Sequence, residues 1–113
     1  APFSSNPNVW TDILRINTLN AEQRRKVAEN HICPLQIDVV ERLIERYTNP
    51  GDVVFDPFAG IFTVPYVAVK MGRYGYGSEL NPEYWKHGVG YCEQAEDLLN
   101  APTLFDLEEF CVA

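Results

Sequence analysis

The sequence predicts an α/β fold in which a small parallel sheet is flanked by helices. Two short runs, 52–56 and 74–79, have the length and composition of strands. Helical patterns precede the first run, join the two runs and follow the second. A helical connection between two strands favours parallel pairing with a right-handed crossover. The 113 residues are enough for one domain with one modest core.

The clearest helix is predicted from about Gln36 to Tyr47. Side chains at helical spacing i, i+3, i+4 and i+7 are Gln36, Val39, Val40, Leu43, Ile44 and Tyr47. The sequence Asn49-Pro50-Gly51 then ends the helix. Asp38 and Arg42 are one helical turn apart, so we expect an ion pair between them.

A strand, a tight turn and a helix follow one another in the middle of the chain. Asp52–Asp56 contains three consecutive apolar side chains, which predicts a strand buried on both faces. Pro57 and Gly60 end this strand, and a helix is predicted over Thr63–Met71. In open α/β sheets such a turn points backbone N–H groups at a small anionic or polar ligand. An ordinary turn without a ligand is the alternative.

The second strand is predicted at Tyr74–Glu79, where tyrosines alternate with glycines. Gly72 before it is expected to end the preceding helix. Asn81-Pro82-Glu83 supplies an N-cap, a first-turn proline and a favourable negative charge, so a third helix is predicted from there to about Leu99.

Two short strands make a poor sheet with unpaired edges. We therefore expect the protein either to self-associate or to recruit Val9–Ile16 as an added strand. Another helix is predicted over Ala21–Glu29, with Asn20 as its N-cap.

The run Asp56-Pro-Phe-Ala-Gly-Ile-Phe-Thr63 resembles the cofactor motif of DNA methyltransferases that methylate adenine N6 or cytosine N4 with S-adenosylmethionine (SAM). The segment His31–Gln36 resembles the one that precedes the cofactor loop in a permuted class of these enzymes. Gly75–Trp85 resembles their second cofactor strand, and Ala101–Leu107 resembles the tail of some bacterial and phage DNA methylases. The resemblance covers roughly residues 9–107 and implies a partial Rossmann-like methyltransferase fold.

The chain departs from this family at two places. Phe62 stands where the family pattern Phe-x-Gly-x-Gly has its second glycine, which permits close backbone approach and positive φ. Phenylalanine at this position is therefore expected to affect the affinity for SAM. The catalytic tetrapeptide Asp/Asn/Ser-Pro-Pro-aromatic is absent, and the nearest strings are Asp56-Pro-Phe and Asn81-Pro-Glu-Tyr84. No residue is therefore assigned a catalytic role.

The resemblance implies a set of cofactor-binding residues. They are His31, Asp56, Pro57, Phe58, Ala59, Gly60, Glu79 and Leu80. Asp56 would hold the methionine amino group of SAM, or alternatively cap the following turn. Glu79 would accept hydrogen bonds from the ribose hydroxyls, or be a solvated charge. Leu80 would line the adenine pocket, Phe58 could instead be a core aromatic, and His31 could be a structural hydrogen-bonding group. A metal site is not indicated, because no second histidine or cysteine is suitably spaced from His31.

The composition opposes direct DNA binding by this chain. Nine basic and sixteen acidic residues give a net charge of −7, whereas phosphate contacts need clustered Lys and Arg. The basic cluster at residues 24–26 is interpreted as a solvated helix face. DNA contact is therefore expected only through polypeptide beyond this chain. Three cysteines without metal-like spacing, Cys33, Cys92 and Cys111, favour a reduced cytoplasmic protein, and no run has membrane-spanning length.

We divide the chain into an N-terminal arm (1–20), a partial SAM-binding domain (21–100) and an acidic C-terminal tail (101–113). Our interpretation is the SAM-binding part of a DNA methyltransferase, incomplete and inactive alone; whether the chain itself is an enzyme stays open. The partner would be a chain that carries the catalytic and target-recognition parts, or a second copy. The alternative is a non-catalytic interaction module or folded remnant that docks on a partner.

Overall fold

The computed structural model describes residues 6–19 and 34–101. Within these ranges the elements are α1 (Ile37–Tyr47), β1 (Val53–Asp56), α2 (Thr63–Lys70), β2 (Tyr74–Gly77) and α3 (Pro82–Asn100). The strands pair in parallel, with Val53 opposite Tyr74 and Asp56 opposite Gly77. The predicted α/β fold with a parallel sheet is confirmed. The helix expected at 21–29, His31 and the acidic tail from residue 102 onward lie outside the described residues.

Helix α2 is the central element. It packs against α1, α3 and both strands, and it is the one helix of the described region that contacts the strands. The core consists of α1 and α2 side chains, namely Ile37, Val40, Ile44, Val67 and Ala68. Leu43 and Tyr47, which the helical pattern of α1 included, are exposed instead. Because α2 contacts the strands while α1 and α3 pack on α2, these three helices form one layer on one side of the sheet.

The expectation that the first strand is buried on both faces is wrong. Val53 is 64% exposed and Phe55 is 60% exposed. Their cross-strand partners Tyr74 and Tyr76 are 62% and 57% exposed. We call the surface formed by these four side chains the open face. It is open because α2 covers only the opposite surface, which we call the covered face.

The covered face of β2 is made of glycines. A Cβ atom on Gly75 would lie 2.5 Å from the backbone oxygen of Pro65 in α2. A Cβ atom on Gly77 would lie 2.7 Å from the Cβ of Ala59. Real Cβ contacts are longer than this, so α2 and Ala59 in the loop before it can approach β2 this closely only because both positions lack a side chain.

The segment 9–16 does not form the added strand that we expected. It lies beside α1, where Leu14 donates its N–H to Asp38 Oδ2 at 2.7 Å. Asn17 Nδ2 donates to the other oxygen of Asp38 at 3.0 Å. The Asp38 carboxylate therefore anchors the segment, and the sheet of the described region keeps two strands. Self-association, the other option, stays a prediction.

Arg42 also pairs differently from the expectation. It donates to Asp12 rather than to Asp38, with one of the two hydrogen bonds at 2.9 Å. This hydrogen bond lowers the pKa of Asp12 below its ordinary value. The indole of Trp10 lies under the Arg42 guanidinium, 4.7 Å from the ring centroid. The N-terminal segment thus satisfies the charge of both α1 residues that were expected to pair with each other.

The predicted start of the third helix is confirmed. Asn81 Oδ1 accepts hydrogen bonds from the N–H groups of Glu83 and Tyr84 at 3.0 and 3.3 Å, and Pro82 takes the first helical position. The side chain of Asn81 is therefore an N-cap. No helix in the described ranges is long and apolar enough to cross a membrane.

Candidate functional site

The parallel pairing places the carboxyl ends of β1 and β2 side by side. We call the loops that follow them, residues 56–62 and 78–81, the carboxyl edge. Ser78 joins these loops by three hydrogen bonds: its N–H donates to the Asp56 oxygen at 3.1 Å, its Oγ donates to the Pro57 oxygen at 2.7 Å, and its carbonyl accepts from Ala59 N–H at 2.9 Å. The two loops are consequently held as one unit.

Glu79 adds a fourth connection between the loops. Its Oε2 accepts from the Gly60 N–H at 2.9 Å, and its Oε1 accepts from the Asn81 N–H at 3.2 Å. An ionised carboxylate can accept about four hydrogen bonds, so about two positions are left on Glu79. The residue therefore positions the loop and can still accept donors from a ligand. These two contacts show that Glu79 is not a purely solvated charge, which was the alternative interpretation.

Asp56 shapes the start of the same loop. Its Oδ1 accepts from the Phe58 N–H at 2.9 Å, a hydrogen bond between residues two apart. The alternative role that the sequence offered for Asp56, capping the following turn, is thus confirmed. This bond uses one of about four acceptor positions of the carboxylate, so it does not prevent ligand binding.

The backbone amides of the loop after β1 are used within the protein. Phe58 donates to Asp56, Ala59 to Ser78, Gly60 to Glu79 and Phe62 to Ala59. The expectation that this turn points N–H groups at an anionic ligand is therefore wrong for these four amides. Carboxylates at the ends of both strands remain available as acceptors. The carboxyl edge suits ligand groups that donate hydrogen bonds or carry positive charge.

Phe62 has a left-handed backbone, with φ of 69°. This conformation costs a non-glycine residue about 1–2 kcal/mol. The side chain is buried, at 6% exposure, and its ring lies over Gly88 in α3. A Cβ atom on Gly88 would lie 2.5 Å from the Phe62 ring. Phe62 thus keeps the positive φ that a glycine would adopt and directs its ring into the helical layer.

Gly88 is a residue that the sequence analysis did not connect with the site. The available signal was a glycine within a helix, which is unfavourable by about 1 kcal/mol relative to alanine and so needs a packing reason. The packing partner, Phe62, is 26 positions earlier in the chain, and only the fold brings the two together.

The structure brings seven of the eight expected cofactor residues to the carboxyl edge; His31, the eighth, lies outside the described residues. Phe58 is 87% exposed, so the alternative that it is a core aromatic is wrong. Leu80 is fully exposed next to Glu79, and Pro57 is exposed as well. Ala59 is buried and Gly60 is half-buried. The large apolar side chains that project from the carboxyl edge are therefore those of Phe58 and Leu80, beside the carboxylates of Asp56 and Glu79.

Cys92 lies half-buried in α3. Burial, with a smaller contribution from Glu96, raises the pKa of the Cys92 thiol from 9.0 to about 11. The side chain is therefore a protonated packing residue at neutral pH rather than a reactive thiolate. In the part of the chain that the structure describes, no group of three histidine, cysteine or acidic side chains could hold a metal ion.

A two-stranded parallel sheet with carboxylates at the ends of both strands is part of a Rossmann-like α/β domain. The sequence profile of the DNA methylase family matches residues 4–89. The chain belongs to the DNA methylase family.

Individual relatives agree with this assignment. The chain is 43% identical over 82 residues to the DNA adenine methyltransferase YhdJ of Escherichia coli K12, an alignment that covers 73% of this chain and 26% of the relative. It is 35% identical over 94 residues to the type II methyltransferase M.BglII of Bacillus subtilis, covering 77% of this chain and 26% of the relative. The chain thus spans about a quarter of the length of these curated relatives.

Solved structures give the same family. A DNA modification methylase from Thermus thermophilus, crystallised in complex with S-adenosyl-L-methionine, matches with a TM-score of 0.52 and 35% identity over 55% of this chain and 26% of that chain. Another crystal structure of this methylase matches over 81% of this chain and 41% of that chain, with a TM-score of 0.51 and 25% identity.

Proposed function

We propose that this chain is the SAM-binding portion of a DNA methyltransferase that modifies adenine N6 or cytosine N4. The cofactor would lie along the carboxyl edge, across the loops that follow β1 and β2. The chemistry of this edge is the observation that carries the proposal.

The carboxyl edge offers acceptors, and four of its loop amides are already used by protein oxygens. A pyrophosphate ligand needs free N–H donors or cationic side chains. SAM instead has an ammonium group, a ribose diol and a sulfonium charge, which match carboxylate acceptors. The hydrogen-bonding groups of the edge therefore favour SAM over a phosphate-bearing dinucleotide.

The residue roles follow from this chemistry. Asp56 accepts hydrogen bonds from the ammonium group of the methionine part, and Glu79 accepts from the ribose hydroxyls through the positions that Gly60 and Asn81 leave on it. The backbone of Pro57–Gly60 lies against the cofactor. Leu80 supplies an apolar surface for the adenine ring. His31 is included because the resemblance to the family implies a contact with the methionine carboxylate.

The first test is a calorimetric titration of the purified chain with SAM. We expect the native chain to bind, because Phe62 keeps a glycine-like φ and packs its ring against Gly88 of α3. Glu79→Ala should weaken binding about tenfold or more, since hydrogen bonds to a charged group are worth about 1.5–3 kcal/mol. Glu45→Ala, an exposed acidic residue of α1, is the matched control and should leave affinity unchanged within about twofold. Absence of binding by the native chain, with binding restored by Phe62→Gly, would contradict our account of Phe62.

The chain is proposed to be inactive alone, because the Pro-Pro-aromatic tetrapeptide of the family is absent from its sequence. The nearest string, Asn81-Pro-Glu-Tyr84, has Asn81 occupied as the N-cap of α3. A methyl-transfer assay with radiolabelled SAM and mixed-sequence duplex DNA should give no product above a no-protein control. Transfer of label to DNA by the purified chain would sink this part of the proposal.

A further inference from the structure

The ring of Phe62 fills a space that two glycines leave between α3 and the sheet. At one end, its Cγ and Cδ1 atoms would lie 2.5 Å from a Cβ atom on Gly88 of α3. At the other end, its Cζ atom would lie 3.5 Å from a Cβ atom on Gly77 of β2. The side chain is buried by these contacts. Phe62 thus joins α3 and β2 to the end of residues 56–62, which we call the β1 loop.

The backbone of the β1 loop needs such a fixed end. Gly60 and Phe62 both have positive φ, of 59° and 69°. A glycine at position 62 would take negative φ about as readily as positive φ, so it would not hold the loop in one conformation. The buried phenylalanine can change its φ only by withdrawing its ring from Gly77 and Gly88. The ring therefore restricts the β1 loop to the conformation observed.

The conformation of the β1 loop is tied to the position of two carboxylates. The Phe58 N–H donates to Asp56 Oδ1 and the Gly60 N–H donates to Glu79 Oε2, both at 2.9 Å. A displaced loop would take these N–H groups away from the carboxylates and leave the two side chains free to turn. Phe62 therefore acts on the acceptors of the carboxyl edge, although its own ring is packed inside the protein.

We infer that Phe62 is a positioning residue for the ligand of the carboxyl edge, because its ring, held between Gly77 and Gly88, orders the β1 loop before the ligand binds. A loop that is already ordered loses less conformational entropy on binding, which raises affinity. That the ordered loop serves SAM rests on the proposed function. Glycine, the residue of the family pattern at position 62, should therefore weaken binding in this chain rather than improve it.

The test compares the full native chain with Phe62→Gly by amide hydrogen exchange and by calorimetric titration with SAM. Without the ring, the Ala59 and Gly60 amides should exchange about tenfold faster or more, through local opening of the β1 loop. The dissociation constant for SAM should rise about tenfold or more, because the loop must then be ordered on binding. Phe62→Leu keeps an apolar side chain and should bind SAM within about threefold of the native chain.

The matched control is Val40→Ala, which truncates a buried side chain of α1 in the core with α2. It should lower stability and leave SAM affinity unchanged within about twofold, so it separates positioning from a general loss of stability. Circular dichroism confirms that each variant is folded.

A second route to the same contact is Gly88→Ala, which presses on the ring from α3 and leaves Phe62 in place. It should weaken SAM binding about threefold or more in the native background and have no further effect in Phe62→Gly. Should Phe62→Gly fail to fold, Gly88→Ala in the native background decides the question by the same two measurements.

Three results would overturn the inference. One is native exchange of the Ala59 and Gly60 amides in Phe62→Gly; another is SAM binding by Phe62→Gly that equals or exceeds that of the native chain. The third is an equal loss of SAM affinity in Val40→Ala. A native chain that binds no SAM, with Ala59 and Gly60 amides that still exchange faster in Phe62→Gly, would remove the proposed function and support the ordering of the loop by Phe62.

Discussion

The two faces of the sheet are built from the same two strands and have opposite environments. On β2 the sequence is Tyr-Gly-Tyr-Gly: Gly75 and Gly77 face α2, while Tyr74 and Tyr76 face outward. The covered face is packed so closely that an added Cβ would meet α2 at 2.5 Å, whereas each open-face tyrosine is more than half exposed. Alternate positions of one strand thus specify two different environments: close packing against α2 on one face and exposure to solvent on the other.

The largest effect should come from adding a side chain to the covered face. Gly75→Val places its branched side chain against the Pro65 backbone, which cannot rotate away, so α2 must be displaced. We expect a loss of about 3 kcal/mol or more in the free energy of unfolding, measured by urea denaturation. The adjacent change Tyr74→Thr on the open face should cost less than about 1 kcal/mol. Equal costs for the two changes would break the contrast between the faces.

The next effect concerns the contact between Phe62 and Gly88. Gly88→Ala should cost about 1–3 kcal/mol, because its Cβ overlaps the Phe62 ring. In a Phe62→Gly background the same change should be neutral or stabilising by up to about 1 kcal/mol, as expected for glycine to alanine in a helix. A double-mutant cycle from denaturant unfolding measures the difference. Additive effects would show that the two residues do not press on each other.

A smaller effect is expected at the carboxyl edge, which adjoins both faces. Glu79→Ala removes the acceptors for the Gly60 and Asn81 N–H groups and should cost about 1–2 kcal/mol. Glu79→Gln keeps one carbonyl oxygen and should retain part of that stability. Thermal unfolding, with the Gly60 amide resonance as a local probe, separates these variants. A glutamine variant as unstable as the alanine variant would mean that the negative charge matters more than the Gly60 contact.

The smallest effect is a dependence on alkaline pH in the helical layer. The ordinary pKa of a cysteine thiol is 9.0 and that of Cys92 in the fold is about 11, so the protonated thiol is the form that folding favours. Its contribution to stability is complete below pH 9 and is lost as the pH rises from 9 to 11. Denaturation curves of native chain and Cys92→Ala should therefore converge over this range. Parallel curves would show that the pKa of the thiol is the same in the folded and unfolded states.

Much of the local structure was predictable because its signals are local. The N-cap at Asn81 and the extent of α1 depend on residues within one or two turns of each other. Gly72 was expected to cap α2; the helix ends at Lys70 with Met71 as its C-cap, and Gly72 follows with a positive φ. The pairing of β1 with β2 and the gathering of Asp56 and Glu79 at one edge followed from the parallel connection. The resemblance to methyltransferases, carried by short ordered motifs, then indicated the family.

The remaining features depend on long-range packing. The exposure of Val53 and Phe55 was missed, because three apolar residues in a row do not reveal whether a second layer is present in the chain. The ion pair expected between Asp38 and Arg42 is not observed. The actual partners of these residues come from an irregular segment more than twenty residues earlier, which the helical pattern could not reveal. The roles expected for Asp56, Glu79 and Leu80 in binding SAM stay predictions until the titration is made.

The contact between Phe62 and Gly88 also links two distant positions of the chain. A methyl group at position 88 would overlap the phenylalanine ring at position 62, so α3 must shift if any side chain is added at 88. An attempt to strengthen α3 by replacing its glycine therefore has to change the loop as well. The loop and the helix can be redesigned only as a pair.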